Sequence, residues 1–171
     1  MDAAVRDAEW AAVIRPGEEE LLCLSVIAAS EAQLRDAYAR LCCEWRDGGP
    51  DETCASCGHR PGEHWIGWAE RFLGGQVDAE ALDATRAARR IAEALEAHAE
   101  ARLFFVADGG SSFRLFCAFL DQDDQAKRKA LREWLFLPWS PALLRRAIAP
   151  ALRAHERLKK RRMRERKRDA A

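Results

Sequence analysis

Four cysteines and two histidines lie close together in the stretch from Cys42 to His64. At its centre, Cys54 and Cys57 form a Cys-x-x-Cys pair, whose turn places two sulfur atoms on the same side of a metal ion. Zinc takes four tetrahedral ligands, preferably thiolates and imidazoles, so two further donors would complete its shell. The sequence therefore predicts one structural zinc (Zn2+) site, with the ligand set Cys43, Cys54, Cys57 and His64 and with Cys42 and His59 as alternates.

Three other interpretations of these residues compete with a structural metal. The cysteines could be free thiols that serve as small hydrophobic side chains, with ordinary surface histidines beside them. A redox pair would prefer a helix N-terminus, whereas Cys57 is followed by Gly58 and then by a Pro-Gly turn. A catalytic zinc would need an open coordination position and a general acid or base, for which Glu63 is the local candidate. We therefore expect a closed, structural site.

The rest of the chain offers little further chemistry. It contains no glycine-rich phosphate loop, no His-Glu-x-x-His and no Gly-x-Ser-x-Gly. Cys23 and Cys117 lie inside apolar runs that are predicted as strands, where a cysteine is an ordinary buried thiol. His98 and His155 have no second ligand at a suitable spacing. No small-molecule substrate is evident, and an enzyme is the least favoured class.

The basic residues are concentrated near the C-terminus. Residues 127–171 carry 16 basic and 4 acidic side chains, whereas residues 1–126 carry 12 basic and 24 acidic ones. The formal net charge of zero hides this separation, which suits an anionic partner for the C-terminal end. The candidate contact residues of this basic tail are Arg157, Lys159, Lys160, Arg161, Arg162, Arg164, Arg166, Lys167 and Arg168.

Two kinds of partner would suit the basic tail. Lysine and arginine neutralise nucleic-acid phosphates and release counterions, whatever the base sequence. The same charges could dock on an acidic protein surface, including the acidic part of a second copy of this chain. A solvated tail that only aids solubility needs no partner at all. Of the two partners, nucleic acid is the one we favour.

The first half of the chain is predicted to carry the metal ligands at helix ends. A short helix over residues 2–14 precedes a strand over 20–28. A capping box at Ser30 to Gln33 then opens a helix over 31–45, which would deliver Cys42 and Cys43 in its last turn. After the Cys-x-x-Cys loop, a helix over 63–73 would supply His64 from its first turn.

The second half is predicted as a hairpin flanked by helices. Asp78 can cap a helix running to about residue 101. Two aromatic runs on either side of a turn-forming Asp-Gly-Gly-Ser-Ser cluster predict an antiparallel hairpin over 103–119. Further helices follow Asp123 and the pair Ser140-Pro141, with a kink or restart at Pro150.

Together these elements predict an α+β fold that is mostly helical, with a small antiparallel sheet, a zinc-stapled loop and a basic C-terminal helical tail. We expect one globular domain over residues 1–154, with the zinc-binding segment at 42–64, and the tail at 155–171. No run is apolar enough to cross a membrane, and no basic leader opens the chain, so the expected location is cytoplasmic.

The expected function is that of a non-enzymatic, zinc-stabilised protein that associates with nucleic acid through its tail. The alternative is a structural or assembly adaptor, which binds other subunits of a macromolecular complex or a viral particle. Tryptophans could contribute to either function by stacking on bases or by filling a partner's groove. Most of the six fall on apolar stripes, however, so we expect them in the core.

Overall fold

The computed structural model describes residues 17–44, 53–106 and 112–169, and these residues form seven helices with no strand. A single 3-10 turn, Pro61–Glu63, precedes the second helix. The α-helices are α1 (Glu18–Cys42), α2 (Ile66–Leu73), α3 (Leu82–Val106), α4 (Ser112–Phe119), α5 (Asp124–Ala130), α6 (Arg132–Leu135) and α7 (Pro141–Asp169). The α+β class predicted from the sequence is therefore wrong for the described residues.

The predicted strand at 20–28 is wrong because α1 runs through it without interruption. No glycine or proline separates Glu18 from Cys42, and three glutamates in the first turn favour the positive end of the helix dipole. Ile27, Leu34 and Leu41 recur every seven residues and form the buried stripe. The capping box at Ser30 consequently lies in mid-helix, and α1 is a single helix rather than a strand and a helix.

The predicted hairpin at 103–119 is also wrong. Its first aromatic run is the last turn of α3, and its second run is α4. Phe113 and Cys117 are buried one helical turn apart and lie with Phe105 in one core cluster. A short apolar run looks the same in a buried helix and in a buried strand, so the pattern was ambiguous. The intervening residues 107–111 lie outside the described part of the chain.

The central helix of the fold is α3, which packs along both α1 and α7. Near its start it shares a core with Leu41 of α1 and with Ile148 of α7. Near its end Phe105 packs with Ile27 of α1 in a second core cluster. These pairings make α1 antiparallel to α3. Alanine fills many buried positions of α3, which lets its neighbours approach closely: Ala84, Ala87, Ala88, Ala94 and Ala101.

Several helix ends follow the predicted signals, and others differ. Asp123 caps α5, since its carboxylate accepts the backbone N–H groups of Gln125 and Ala126 at 2.8 and 3.1 Å. As predicted, α7 begins at Pro141, but Pro150 lies inside the helix and does not divide it. Asp78 accepts the N–H of Glu80 in the turn before α3 instead of capping that helix. The predicted helix over 2–14 lies outside the described residues.

The basic tail is a continuation of a core helix. Ala154 is the last buried residue of α7, and every residue from Lys159 to Asp169 is exposed. The proposed boundary at 154/155 thus falls inside one helix, and the division into domain and tail stays a prediction. Within the part of the chain that the structure describes, none of the helices has the length and apolarity needed to span a bilayer.

Candidate functional site

The four donors of the preferred ligand set come together at one point. Cys43 is the C-cap residue of α1, Cys54 and Cys57 belong to the loop that follows, and His64 lies between the 3-10 turn and α2. His64 therefore precedes α2 instead of occupying its first turn as predicted. The ligating atoms of all four residues lie within 4.8 Å of one another. This cluster can hold a metal ion and is a possible zinc site.

The distances between donor atoms match a tetrahedral ion. A zinc ion with bonds of about 2.3 Å to sulfur and about 2.05 Å to nitrogen holds two sulfurs about 3.8 Å apart, and a sulfur and a nitrogen about 3.6 Å apart. Sγ of Cys43 lies 3.8 Å from Sγ of Cys54, and Sγ of Cys57 lies 3.5 Å from Nε2 of His64. Two donor pairs therefore have the spacing of a tetrahedral ion, and the remaining pairs lie within 4.8 Å.

The Cys-x-x-Cys turn is held by its own backbone. The N–H of Gly58 donates to the carbonyl of Cys54 at 2.8 Å, and the N–H of Cys54 donates to the carbonyl of His59 at 2.8 Å. Gly58 has φ of +74°, a left-handed conformation that side chains with a Cβ rarely adopt. Glycine after the second cysteine therefore lets the chain reverse direction and keeps both sulfurs on one side.

The ring of His64 is oriented by a second hydrogen bond. Its Nδ1 lies 2.9 Å from the carbonyl oxygen of Cys43, which accepts a proton only from the Nδ1–H tautomer. This tautomer leaves the Nε2 lone pair free to face the sulfurs. A histidine that ligates a metal commonly donates its other N–H to such an oxygen, which fixes the ring for coordination.

Burial disfavours the charged thiolate form of the cysteines in this cluster unless a cation is bound. Cys54 is 2% exposed. Burial, followed by the neighbouring thiols of Cys57 and Cys54, raises the pKa of Cys43 to about 12. Thiolates are nevertheless the form that binds a metal, and a bound cation is what deprotonates such a thiol near neutral pH. A raised thiol pKa is the opposite of what an activated nucleophile needs.

The structure separates the two alternates from the cluster. Cys42 packs against the first core cluster, and burial raises its pKa to about 12. His59 directs Nε2 to Oδ1 of Asp36 at 2.7 Å, away from the sulfurs. Neither residue belongs to the group of four donors.

A polar network ties the loop to α1 beside the metal centre. Arg40 lies 2.8 Å from Asp36 and 3.3 Å from Glu63, and Glu63 accepts the backbone N–H of Arg60 at 2.9 Å. That N–H, together with Arg40, lowers the pKa of Glu63. Partial burial opposes ionisation of Asp36, but hydrogen bonds from Arg40 and His59 outweigh it and lower the pKa. The carboxylates of Asp36 and Glu63 therefore both make contacts that hold the loop against α1.

The basic tail presents mostly unpaired cations. Arg157 forms an ion pair with Glu80 at 2.7 Å, and Arg161 forms one with Glu165 at 3.0 Å. For the other seven basic residues of the tail, no carboxylate of the described chain lies within ion-pair distance. Their positive charge is available to an external anion.

A groove between α3 and α7 extends this basic surface towards the metal centre. We call it the α3–α7 groove, and it has a volume of about 360 Å³. Its lining residues are Leu82, Arg86, Arg89, His155, Leu158, Lys159, Arg162, Met163 and Arg166. A second cleft of about 450 Å³ shares Arg86, Arg89 and His155 with it and reaches Arg40 and Trp65. The two clefts therefore connect the tail with the metal loop, although the arginines between them are ion-paired: Arg86 with Asp83, Arg89 with Glu93 and Arg40 with Glu63.

The sequence did not predict the contribution of α3 to this surface. Arg86, Arg89 and Arg90 are spaced to share one face of a helix, which was a usable signal. What could not be foreseen is that this face lies beside α7, because the contact joins residues about seventy positions apart. His155, assigned no role from sequence, lies where the two clefts meet.

The remaining thiols and His98 are structural. Cys117 is buried in the second core cluster, and Cys23 is half-buried on α1, so both lie in helices rather than in the predicted strands. His98 is buried and donates from Nε2 to the carbonyl of Trp134 at 2.8 Å.

Comparison with known proteins does not assign this chain to a family. No protein-family model matches the chain, and no curated protein or solved structure matches it either. Its function has to be argued from the residues themselves.

Proposed function

We propose that this chain is a non-enzymatic, zinc-stabilised protein that binds nucleic acid through α7 and the α3–α7 groove. The observation that carries the proposal is the row of cations without carboxylate partners on the α7 side of the groove. Lys159, Arg162 and Arg166 form one stripe of α7, and none has a carboxylate partner among the described residues. Arg86 and Arg89 face this stripe from α3. Such a surface suits phosphate contacts that do not depend on base sequence.

Zinc is the metal we assign to the centre. Three thiolates and one imidazole with tetrahedral spacing are the donors that zinc prefers in structural sites. Four protein donors complete that shell and leave no position for a substrate or an activated water. The carboxylate next to His64 in sequence, that of Glu63, is bound by Arg40 and by the backbone of Arg60. These features favour a structural metal over a catalytic one.

The zinc would support the basic surface by fixing the part of it that lies nearest to the metal loop. Trp65 and Arg40 line the second cleft, and the N–H of Trp65 donates to the carbonyl of Arg40 at 2.7 Å. His64 immediately precedes Trp65, so a metal that holds His64 also holds the entrance to α2. The metal centre and the basic surface are then parts of one unit.

The salt dependence of binding tests the nucleic-acid proposal. Each phosphate contact contributes a slope of about 0.7 to 0.9 to the plot of log affinity against log salt. Replacing Lys159, Arg162 and Arg166 with glutamine should therefore reduce the slope by about 2 to 3. Fluorescence anisotropy with a labelled oligonucleotide would measure it.

A control variant with the same charge change separates location from net charge. Lys129, Arg132 and Arg146 are exposed, unpaired among the described residues and absent from the groove. Their replacement with glutamine should leave the slope nearly unchanged. Absence of binding at low salt, or equal effects of the two triple variants, would reject the proposal.

A second candidate, an assembly adaptor, is favoured by one observation. Three leucines in the first turns of α1 are exposed, namely Leu21 at 66%, Leu22 at 54% and Leu24 at 41%. Exposed leucines grouped on a helix are typical of a contact with another subunit. Replacing them with glutamine should release such a subunit in co-purification without changing nucleic-acid affinity, whereas unchanged co-purification would count against the adaptor.

A further inference from the structure

The α3–α7 groove combines two chemistries that phosphate binding alone does not require. Besides five arginine and lysine side chains, which we call its basic rim, its lining includes Leu82, Leu158 and Met163, which we call its apolar floor. Leu82 is 43% exposed and Met163 is 55% exposed. Apolar side chains that stay open to solvent between rows of arginine and lysine gain nothing from a phosphate. They would gain from a flat, weakly polar surface such as the face of a base.

We propose that the α3–α7 groove and the adjoining cleft hold a single strand of nucleic acid, with bases on the apolar floor and phosphates on the basic rim. This inference rests on the proposed function and adds the kind of nucleic acid. In a duplex the base faces are stacked on one another and are not available to the floor. In a single strand they are exposed, and proteins that bind single strands combine a basic groove with aromatic side chains on which bases stack. Trp65 of the adjoining cleft is the aromatic side chain available here, and the apolar floor adds contacts to the base faces.

Charge inside the groove supports an anionic occupant. None of the residues lining it carries a carboxylate. The acidic groups nearest to its arginines lie at the rim: Asp83 is 3.8 Å from Arg86, and Glu93 is 2.8 Å from Arg89. In the adjoining cleft the one carboxylate, Glu63, is paired with Arg40. These ion pairs reduce the charge of both partners, so the attraction for an anion comes mainly from Lys159, Arg162 and Arg166.

The dimensions of the groove suit a short strand. His155 and Arg166 mark its two ends along α7, and eleven residues of helix span about 16 Å. At about 3.4 Å per phosphate along one strand, this length corresponds to about five nucleotides. Leu82, Arg86 and Arg89 of α3 form the other wall of the groove. A single strand can follow the groove along its whole length.

Trp65 extends the floor towards the metal loop. It is half-buried, lines the adjoining cleft with Arg86 and Arg89, and follows His64 directly. An indole at this position can stack on a base at the end of the strand. The metal centre would then position a base-stacking residue as well as stabilise the fold.

The test compares a 12-mer of deoxythymidine with a mixed-sequence duplex of the same length, using the zinc-loaded full chain at one salt concentration. We expect the single strand to bind about tenfold more tightly than the duplex, since stacking adds to the phosphate contacts. Replacing Leu82 and Met163 together with glutamine should remove most of this preference and leave duplex affinity unchanged. Both side chains are exposed, and circular dichroism with zinc content would confirm folding.

The charge variant and a second polyanion separate the possible failures. The variant Lys159→Gln, Arg162→Gln and Arg166→Gln should weaken both nucleic acids alike. Equal binding of single strand and duplex, or no effect of the floor variant, would overturn the single-strand inference and leave the proposed function intact. Binding of polyglutamate as tight as that of the 12-mer would also overturn it. No binding of either nucleic acid would remove the proposed function itself.

The variant Trp65→Phe tests the end of the floor separately. Phenylalanine keeps the apolar contact with the core but offers a smaller stacking surface. We expect weaker single-strand binding by a factor of about three, with unchanged duplex affinity. If neither affinity changes while the intrinsic fluorescence of the wild type also stays constant during titration, Trp65 has no contact with the strand.

Discussion

Nδ1 of His64 lies 2.9 Å from the carbonyl oxygen of Cys43, so one donor of the metal cluster orients another. The two residues are 21 positions apart, at the end of α1 and at the entrance to α2. This bond acts together with the hydrogen bond from Trp65 to Arg40, and both fasten the loop across the last turn of α1. The Cys/His cluster therefore connects two helices of the core.

Removal of one sulfur should release the metal and destabilise the fold. In Cys57→Ser the hydroxyl is a poor replacement for a thiolate, so we expect loss of one equivalent of zinc. Metal binding and folding are coupled, and structural zinc contributes about 10 to 16 kcal/mol in zinc-finger peptides, so a loss of several kcal/mol is reasonable. Elemental analysis and chemical denaturation would measure both effects.

Cys23→Ser is the matched control for that experiment. Cys23 is half-buried on α1 and outside the cluster, so its replacement should leave the zinc content unchanged. Equal zinc loss in both variants would indicate a general folding defect. Zinc retention by Cys57→Ser would show that this sulfur is not a ligand.

The two histidines of the loop should behave differently. His64→Ala removes the fourth donor and should reduce zinc affinity by orders of magnitude. His59→Ala removes the contact with Asp36, at 2.7 Å, and an edge contact with the ring of His64, and it should keep the metal with a loss of stability of about 1 kcal/mol. Competition with a chromophoric chelator would compare the two. A larger zinc loss in the His59 variant would indicate that His59, and not His64, is the fourth ligand.

Local spacing was enough to find most of the metal centre but could not choose between Cys42 and Cys43. Adjacent residues of a helix point about 100° apart, so one faces the core and the other faces the loop. Which one does so depends on the helix register set by Leu34 and Leu41, and on α1 being a single helix.

For a similar reason, only the part of the basic surface that lies on α7 could be predicted from the sequence. The cations of α7 form a run in sequence, whereas Arg86 and Arg89 join them through the packing of α3 on α7. The aromatic residues that were wrongly predicted to form a hairpin also could not be assigned to helices without knowledge of their tertiary contacts. Phe105 and Phe113 lie 5.0 Å apart between ring centroids, as a core contact between two helices. Strand-like composition does not distinguish this contact from a cross-strand pair.

Replacement of Pro150 should stabilise α7. Proline has no N–H to donate to Arg146, four residues earlier, and its ring crowds that carbonyl. Pro150 is exposed, so alanine would restore the helix hydrogen bond without a change in core packing. After allowance for the greater entropy of the unfolded chain, we expect a gain of about 1 to 3 kcal/mol in unfolding free energy. Urea denaturation that gives no gain would mean that α7 has already adapted to the proline.

The buried imidazole of His98 should make the protein sensitive to mild acid. Burial lowers the pKa of His98 from its ordinary value of 6.5, and the hydrogen bond to the Trp134 carbonyl offsets this only partly, while Arg102 lowers it further. Below pH 6.5 the unfolded chain takes up a proton at this residue while the folded chain resists it. The contribution to stability is therefore complete above pH 6.5 and is lost as the pH falls towards the lowered pKa.

The variant His98→Gln isolates this effect from protonation of the metal ligands, which is common to both proteins. Glutamine can still donate to the carbonyl of Trp134 but does not titrate. The difference in unfolding free energy between wild type and variant should shrink on acidification, by at most about 1.4 kcal/mol per pH unit for a single proton. Denaturation at pH 7.5, 6.0 and 5.0 would measure it. A constant difference would mean that His98 binds its proton equally in the folded and unfolded states.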